Sequence, residues 1–119
     1  MSVTITDFYN AVEEERCLIV HGFSAAKSTN FDEERANFKA SATAFEEFGI
    51  CCEFLNQCPK IKTPTIPSFL LKKTIEHKAG RFISNGALIA SVIHLQIPYK
   101  AIPNCPYVKI ALSKKAVQD

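Results

Sequence analysis

The residues of this chain best suited to metal or nucleophilic chemistry are five cysteines (Cys17, Cys51, Cys52, Cys58, Cys105) and three histidines (His21, His77, His94). Structural zinc is usually held by ligands paired at short spacing, Cys-x-x-Cys above all. No such pair occurs. Cys17-x-x-x-His21 has a workable spacing on paper, but residues four apart on a strand stand ~13 Å from each other, too far for one ion. No metal and no cofactor is expected. None of the cysteines lies in a nucleophile elbow or another nucleophile motif. Cys105, in a turn of a basic stretch, comes nearest to the electropositive, partly exposed setting of a reactive thiolate. The others lie in apolar segments and read as reduced, buried thiols. The odd count and the adjacent Cys51-Cys52 argue against a secreted disulfide framework.

Phosphate chemistry has a weaker footing. The four glycines, Gly22, Gly49, Gly80 and Gly86, form no glycine-rich loop. Ser84-Asn85-Gly86 at a helix start has the backbone donors to hold an anion, but it also reads as an ordinary N-cap. The grouped carboxylates (Glu13 to Glu15, Asp32 to Glu34, Glu46-Glu47) fall where solvated helix surfaces and ends are expected.

Charge is the feature that asks for a partner. Residues 1–58 carry four cations and ten acids, a net −6, and residues 59–119 carry ten cations and two acids, a net +8. Such polarity points to an acidic or polyanionic partner, unless the two halves face each other in the fold. The cations with least local reason to exist are Lys60, Lys62, Lys72, Lys73, Lys78, Arg81, Lys100 and Lys109, and these eight are the candidate partner-binding residues.

Several elements must carry them. Thr4 and Asp7 have capping-box spacing, and Ile5, Phe8, Tyr9 and Val12 form one helical face, which predicts a helix ending near Arg16. Its last turn is weakened by Glu13-Glu14-Glu15 at the wrong end of the dipole. Residues 17–21 read as a buried strand. Asn30 as N-cap, acids in the first turn, and Phe31, Phe38, Ala42 and Phe45 on one side predict a helix from Phe31 to Phe48 that ends at Gly49. A second strand is expected over Ile50 to Leu55. Pro59, Pro64 and Pro67 punctuate a connector, 59–67, that reads as a hinge. Pro67 as N1 opens a third helix ending at Gly80, with Leu70, Leu71 and Ile75 as its apolar face. Ser84 caps a fourth, 85–95, apolar on more than one side and so largely buried. Two strands, 99–102 and 107–112, follow. In the second, Val108, Ile110 and Leu112 face one way and Tyr107, Lys109 and Ala111 the other. Residues 113–119 read as a polar tail.

The expected architecture is α+β: a single compact domain over 1–119, with about four helices and a small three- to four-stranded sheet. No apolar run reaches the ~20 residues of a membrane helix. The first residues also lack the basic start and apolar stretch of a secretory signal. A cytoplasmic location away from membranes is therefore expected.

The block Arg81-Phe82-Ile83-Ser84-Asn85-Gly86-Ala87-Leu88-Ile89-Ala90, with Ile97-Pro98-Tyr99-Lys100 and Asn104-Cys105-Pro106-Tyr107, resembles the C-terminal end of small accessory proteins of bacteriophages and other mobile elements. The resemblance covers about a third of the chain. It implies a compact intracellular protein that blocks or adapts a host machine such as a nuclease or defence complex, and it carries over no functional residue. The leading expectation is accordingly a non-enzymatic binding protein, an inhibitor or adaptor acting on a protein or nucleoprotein partner. The first alternative is nucleic-acid binding by the basic half, since helix 67–79, a short turn, helix 84–95 and a strand pair have the outline of a winged helix-turn-helix. The apolar second helix is a poor reader of bases, with Asn85, Ser91 and His94 as its only polar candidates. A small cysteine-dependent enzyme is the second alternative.

Overall fold

The computed structural model describes residues 3–15, 18–20, 22–23, 31–103 and 105–117, and for Phe23, Phe31 and Lys114 the backbone only. The expected N-cap Asn30, the Cys17–His21 pair and Asn104 lie outside the described residues.

The organising element is the most apolar helix, α5 (Asn85–His94), in which every residue from Asn85 to Ile93 is buried. Around it pack α1 (Ile5–Glu14), α3 (Ala42–Asn56) and α4 (Ser68–Ala79), with the short hairpin β1 (Leu18–Ile19) and β2 (Gly22–Phe23) against its start. Small residues at its first turn permit this. A Cβ on Gly86 would sit 2.1 Å from the Ile19 carbonyl oxygen, and the Gly86 N–H donates to Val20 O at 2.9 Å.

The α1 capping box forms as its sequence predicts, with Thr4 and Asp7 exchanging backbone and side-chain hydrogen bonds at 2.9 and 3.1 Å. The acid-rich end of α1 finds its cation from α2 (Phe31–Ala40). The Arg35 guanidinium donates to the carbonyls of Val12, Glu15 and Leu18 at 2.8–2.9 Å. It thereby ties the end of α1 to the start of β1, adding a charged donor to carbonyls of both.

Two expectations in the first half are corrected. The helix expected over 31–48 breaks at Ser41, which adopts an extended conformation (ψ 118°) and caps α3 by accepting the Ala44 N–H at 3.1 Å. The strand expected over Ile50 to Leu55 is instead the second half of α3, and Gly49 lies inside the helix rather than ending it. The buried residues Ala44, Glu47, Phe48, Cys51, Cys52 and Leu55 form one continuous helical stripe. Among the described residues there are five α-helices, where about four were expected.

The second half follows its sequence more closely. Ser84 caps α5, and Gly80 ends α4 in the left-handed region (φ 68°) with its N–H on Glu76 O. Pro67 lies one residue outside α4, as its N-cap. It belongs to a strand that the sequence did not announce, β3 (Ile66–Pro67). With β4 (Tyr99–Ala101) and β5 (Val108–Ile110) it forms an antiparallel sheet in the order β3-β5-β4. The connector read as a hinge is tied to the strand beside it. Ile61 N–H donates to Ala111 O, Thr65 N–H to Ile110 O and Ser113 N–H to Pro59 O. The expected polar tail contains a single 3-10 turn, Lys114–Val117, with Ala116 buried. Among the described residues, no helix is long and apolar enough to cross a membrane.

Candidate functional site: a basic face on the small sheet

The sheet has an apolar and a polar side because side chains alternate along a strand. Ile66, Val108 and Ile110 are buried on the inner side. On the outer side the register places Lys100 directly opposite Lys109, and Lys109 opposite Pro67. Both lysines are exposed. Side chains directly opposite on antiparallel strands have Cβ atoms about 5 Å apart, and like charges there cost stability. Among the described residues, no carboxylate lies within ion-pair distance of Lys62, Lys73, Lys100 or Lys109. The sequence explains why: between Glu53 and Asp119 the only acid is Glu76, and Glu76 is engaged elsewhere.

Two aromatic rings border the same face. Tyr107 precedes Lys109 by two residues and shares its side. The Phe69 ring, from the first turn of α4, meets Tyr107 edge-on with centroids 5.4 Å apart. Phe69 keeps 39% of its surface exposed. Lys73 follows Phe69 by one helical turn and is exposed. The outer side of the sheet thus carries Lys100 and Lys109, with Lys73 and the rings of Phe69 and Tyr107 at its border.

The remaining candidate cations do structural work. Lys60 donates to Leu55 O at 3.0 Å and Cys58 O at 3.2 Å, closing the end of α3. Lys72 pairs with Glu76 at 2.8 Å and stands over the Phe82 ring, 4.6 Å from its centroid. Lys78 lies over Phe54. Arg81 reaches back to the acidic half, 3.4 Å from Glu46 and 3.9 Å from Glu47. Among the described residues it is the one second-half cation that ion-pairs with the first half. The eight candidates therefore divide between internal ties and the sheet face, with Lys62 exposed on the connector. Among the described residues, no carboxylate of α2 or α3 ion-pairs with Lys100 or Lys109.

Other chemistry is weaker. The recognition helix of a winged helix-turn-helix needs an exposed face, and α5 has none from Asn85 to Ile93. Burial pushes the Cys51 thiol far up, with neighbouring Cys52 adding to it, and pushes Cys52 up to about 12. Burial also raises Cys58, against the opposing pull of Lys60 and Lys78. Thiols held neutral in this way are poor nucleophiles. Cys105 is part-buried beside Pro106. Among the described residues, no three His, Cys, Asp or Glu side chains are placed to hold a metal ion. A shallow groove of about 480 Å³ between Val3, Phe45, Gly49 and Ile50 is rimmed by Glu46, Glu53 and Arg81, so charges of both signs flank it.

The lysines of the sheet face were legible in the sequence, but Phe69 was not. The alternation of Tyr107 with Lys109 was the available signal for one ring. The other needed the tertiary contact. No family model, curated protein or solved structure matches the chain.

Proposed function

We propose that this chain is a non-enzymatic binding protein, an adaptor or inhibitor, that holds an anionic surface of a protein or nucleoprotein partner on the outer face of its small sheet. The observation that carries this reading is the placement of Lys100 opposite Lys109 on strands that contain no acidic residue. Such a pair lowers the stability of the isolated protein, and an anion bridging the two ammonium groups would reverse that cost. The resemblance of the 81–107 block to phage accessory proteins agrees with a role on a host machine.

The test uses polyanions of simple chemistry. Polyglutamate or polyphosphate should bind the full chain at ~50 mM salt and release as salt rises. The Lys100→Glu/Lys109→Glu double variant should stay folded and lose most of that binding. Equal binding by the variant would remove the sheet face from consideration. No binding by the wild type to either polymer would remove the reading itself.

A further inference from the structure

The rings beside the lysines narrow the chemistry of the partner. A nucleic-acid strand engages both features of this face, with phosphates for the cations and bases for the exposed Phe69 ring and the half-buried Tyr107 ring beside it. Resting on the reading that the sheet face binds an anionic partner, we infer that its ligand is single-stranded nucleic acid, with unpaired bases stacked at Phe69 and Tyr107 and phosphates held by Lys73, Lys100 and Lys109.

Three observations support this occupant over the alternatives. The strands and connector that form the sheet, residues 59–67 and 98–117, contain no Asp or Glu, and the one acid of α4, Glu76, is paired with Lys72. The strand charges sit in register, Lys100 against Lys109, which suits a backbone running across the sheet. Two neighbouring strand spacings make the sheet about 10 Å wide, a fit for two or three nucleotides rather than a duplex. A duplex keeps its bases stacked inside, out of reach of a flat face, and the buried α5 offers no helix for a major groove. Binding that stacks bases and holds phosphates without reading base edges is tolerant of sequence.

The experiment uses the full chain and fluorescein-labelled 12-mers of oligo-dT and oligo-rU, followed by anisotropy from ~50 to ~200 mM salt. The single strands should bind at least tenfold tighter than a 12-base-pair duplex. Lys100→Ala/Lys109→Ala should weaken binding and lower the slope of log K against log salt by about 1.4, since each phosphate contact on a single strand contributes about 0.7. Phe69→Ala should weaken binding about 5- to 150-fold, the range for loss of one base stack, with the salt slope unchanged. The chain has no tryptophan, so Phe69→Trp supplies a single reporter without truncating the ring. Its emission should be quenched by oligo-dT and left unchanged by polyglutamate.

The outcomes separate the two readings. Equal or tighter duplex binding, or an unquenched Phe69→Trp with oligonucleotide bound, overturns the single-strand inference and leaves the anionic-face reading standing. Polyglutamate binding that depends on Lys100 and Lys109, without oligonucleotide binding, does the same and points to an acidic protein surface. Failure of every polyanion to bind overturns both.

Discussion

The carboxylate of Glu47 on α3 accepts the backbone N–H of Ser84, the cap residue of α5, at 3.0 Å. Glu47 is nearly fully buried, and Arg81 approaches its other oxygen. Together with the Ser84 hydroxyl, which accepts the Ala87 N–H, it satisfies the start of the central helix from a second helix. Glu47→Ala leaves a buried donor without its acceptor and should lower stability by about 2 kcal/mol. Glu47→Gln keeps an acceptor oxygen and should cost less. Urea unfolding of the two variants measures the order, and equal losses would mean that the charge, not the hydrogen bond, matters.

Gly86 and Gly49 should respond in opposite directions to the same substitution. A Cβ on Gly86 collides with the Ile19 backbone at 2.1 Å, whereas one on Gly49 makes an ordinary 3.7 Å contact with Val3 Cγ2. Gly86→Ala should destabilise by about 3 kcal/mol, as overpacking against backbone does. Gly49→Ala, inside α3, should stabilise by about 0.5–1 kcal/mol. Thermal melts of the pair check both signs.

Gln96 is the described non-glycine residue with positive φ, 58°. It ends α5 in a Schellman arrangement: the Ile97 N–H donates to Val92 O, and the Gln96 N–H to Ile93 O. Glycine adopts this backbone without the Cβ penalty, so Gln96→Gly should raise stability by about 0.5–1 kcal/mol. A lower melting temperature would show that the glutamine side chain contributes more than its backbone costs.

Glu76 sets an acid-side dependence. Burial pulls its carboxyl upward, but the Ile83 N–H and the Lys72 ammonium on the same oxygen hold it below its ordinary 4.5. A carboxylate whose folded pKa lies below its unfolded value stabilises fully above the unfolded value and stops doing so as pH falls through the folded one. Wild type should therefore exceed Glu76→Gln at pH 7, by about 1 kcal/mol for this part-exposed group. The gap should close as the pH drops below 4.5. Urea midpoints at stepped pH test this, and a pH-independent gap would assign the loss to packing.

Lys109→Glu replaces a like-charged cross-strand pair with an opposite one. It should stabilise the fold by about 0.5 kcal/mol while removing anion binding. A melting curve and a binding curve on the same sample read both effects. A destabilised variant would mean that Lys109 has a structural partner.

Local signals were sufficient wherever neighbours in sequence complete the interaction. The Thr4–Asp7 box, the Ser84 cap, Gly80 in the left-handed region and the alternation around Lys109 each involve residues a few positions apart. Their physics is the same in a peptide as in the fold. The acid-poor stretch after Glu53 likewise needs no structure to be seen.

Tertiary contact decided the rest, because the deciding partners are distant in sequence. The run Ile50–Leu55 satisfies strand and helix patterns alike, and it became helical because Cys51, Cys52 and Leu55 continue the stripe that packs on α5. The frayed acidic end expected for α1 is closed by Arg35, 20 residues beyond Glu15. Whether the basic half meets the acidic half was likewise open in the sequence. Glu46 and Glu47 engage Arg81, while the sheet turns Lys100 and Lys109 outward. Net charge is a property of the chain, but which charges remain unpaired depends on which surfaces the buried apolar stripes bring together.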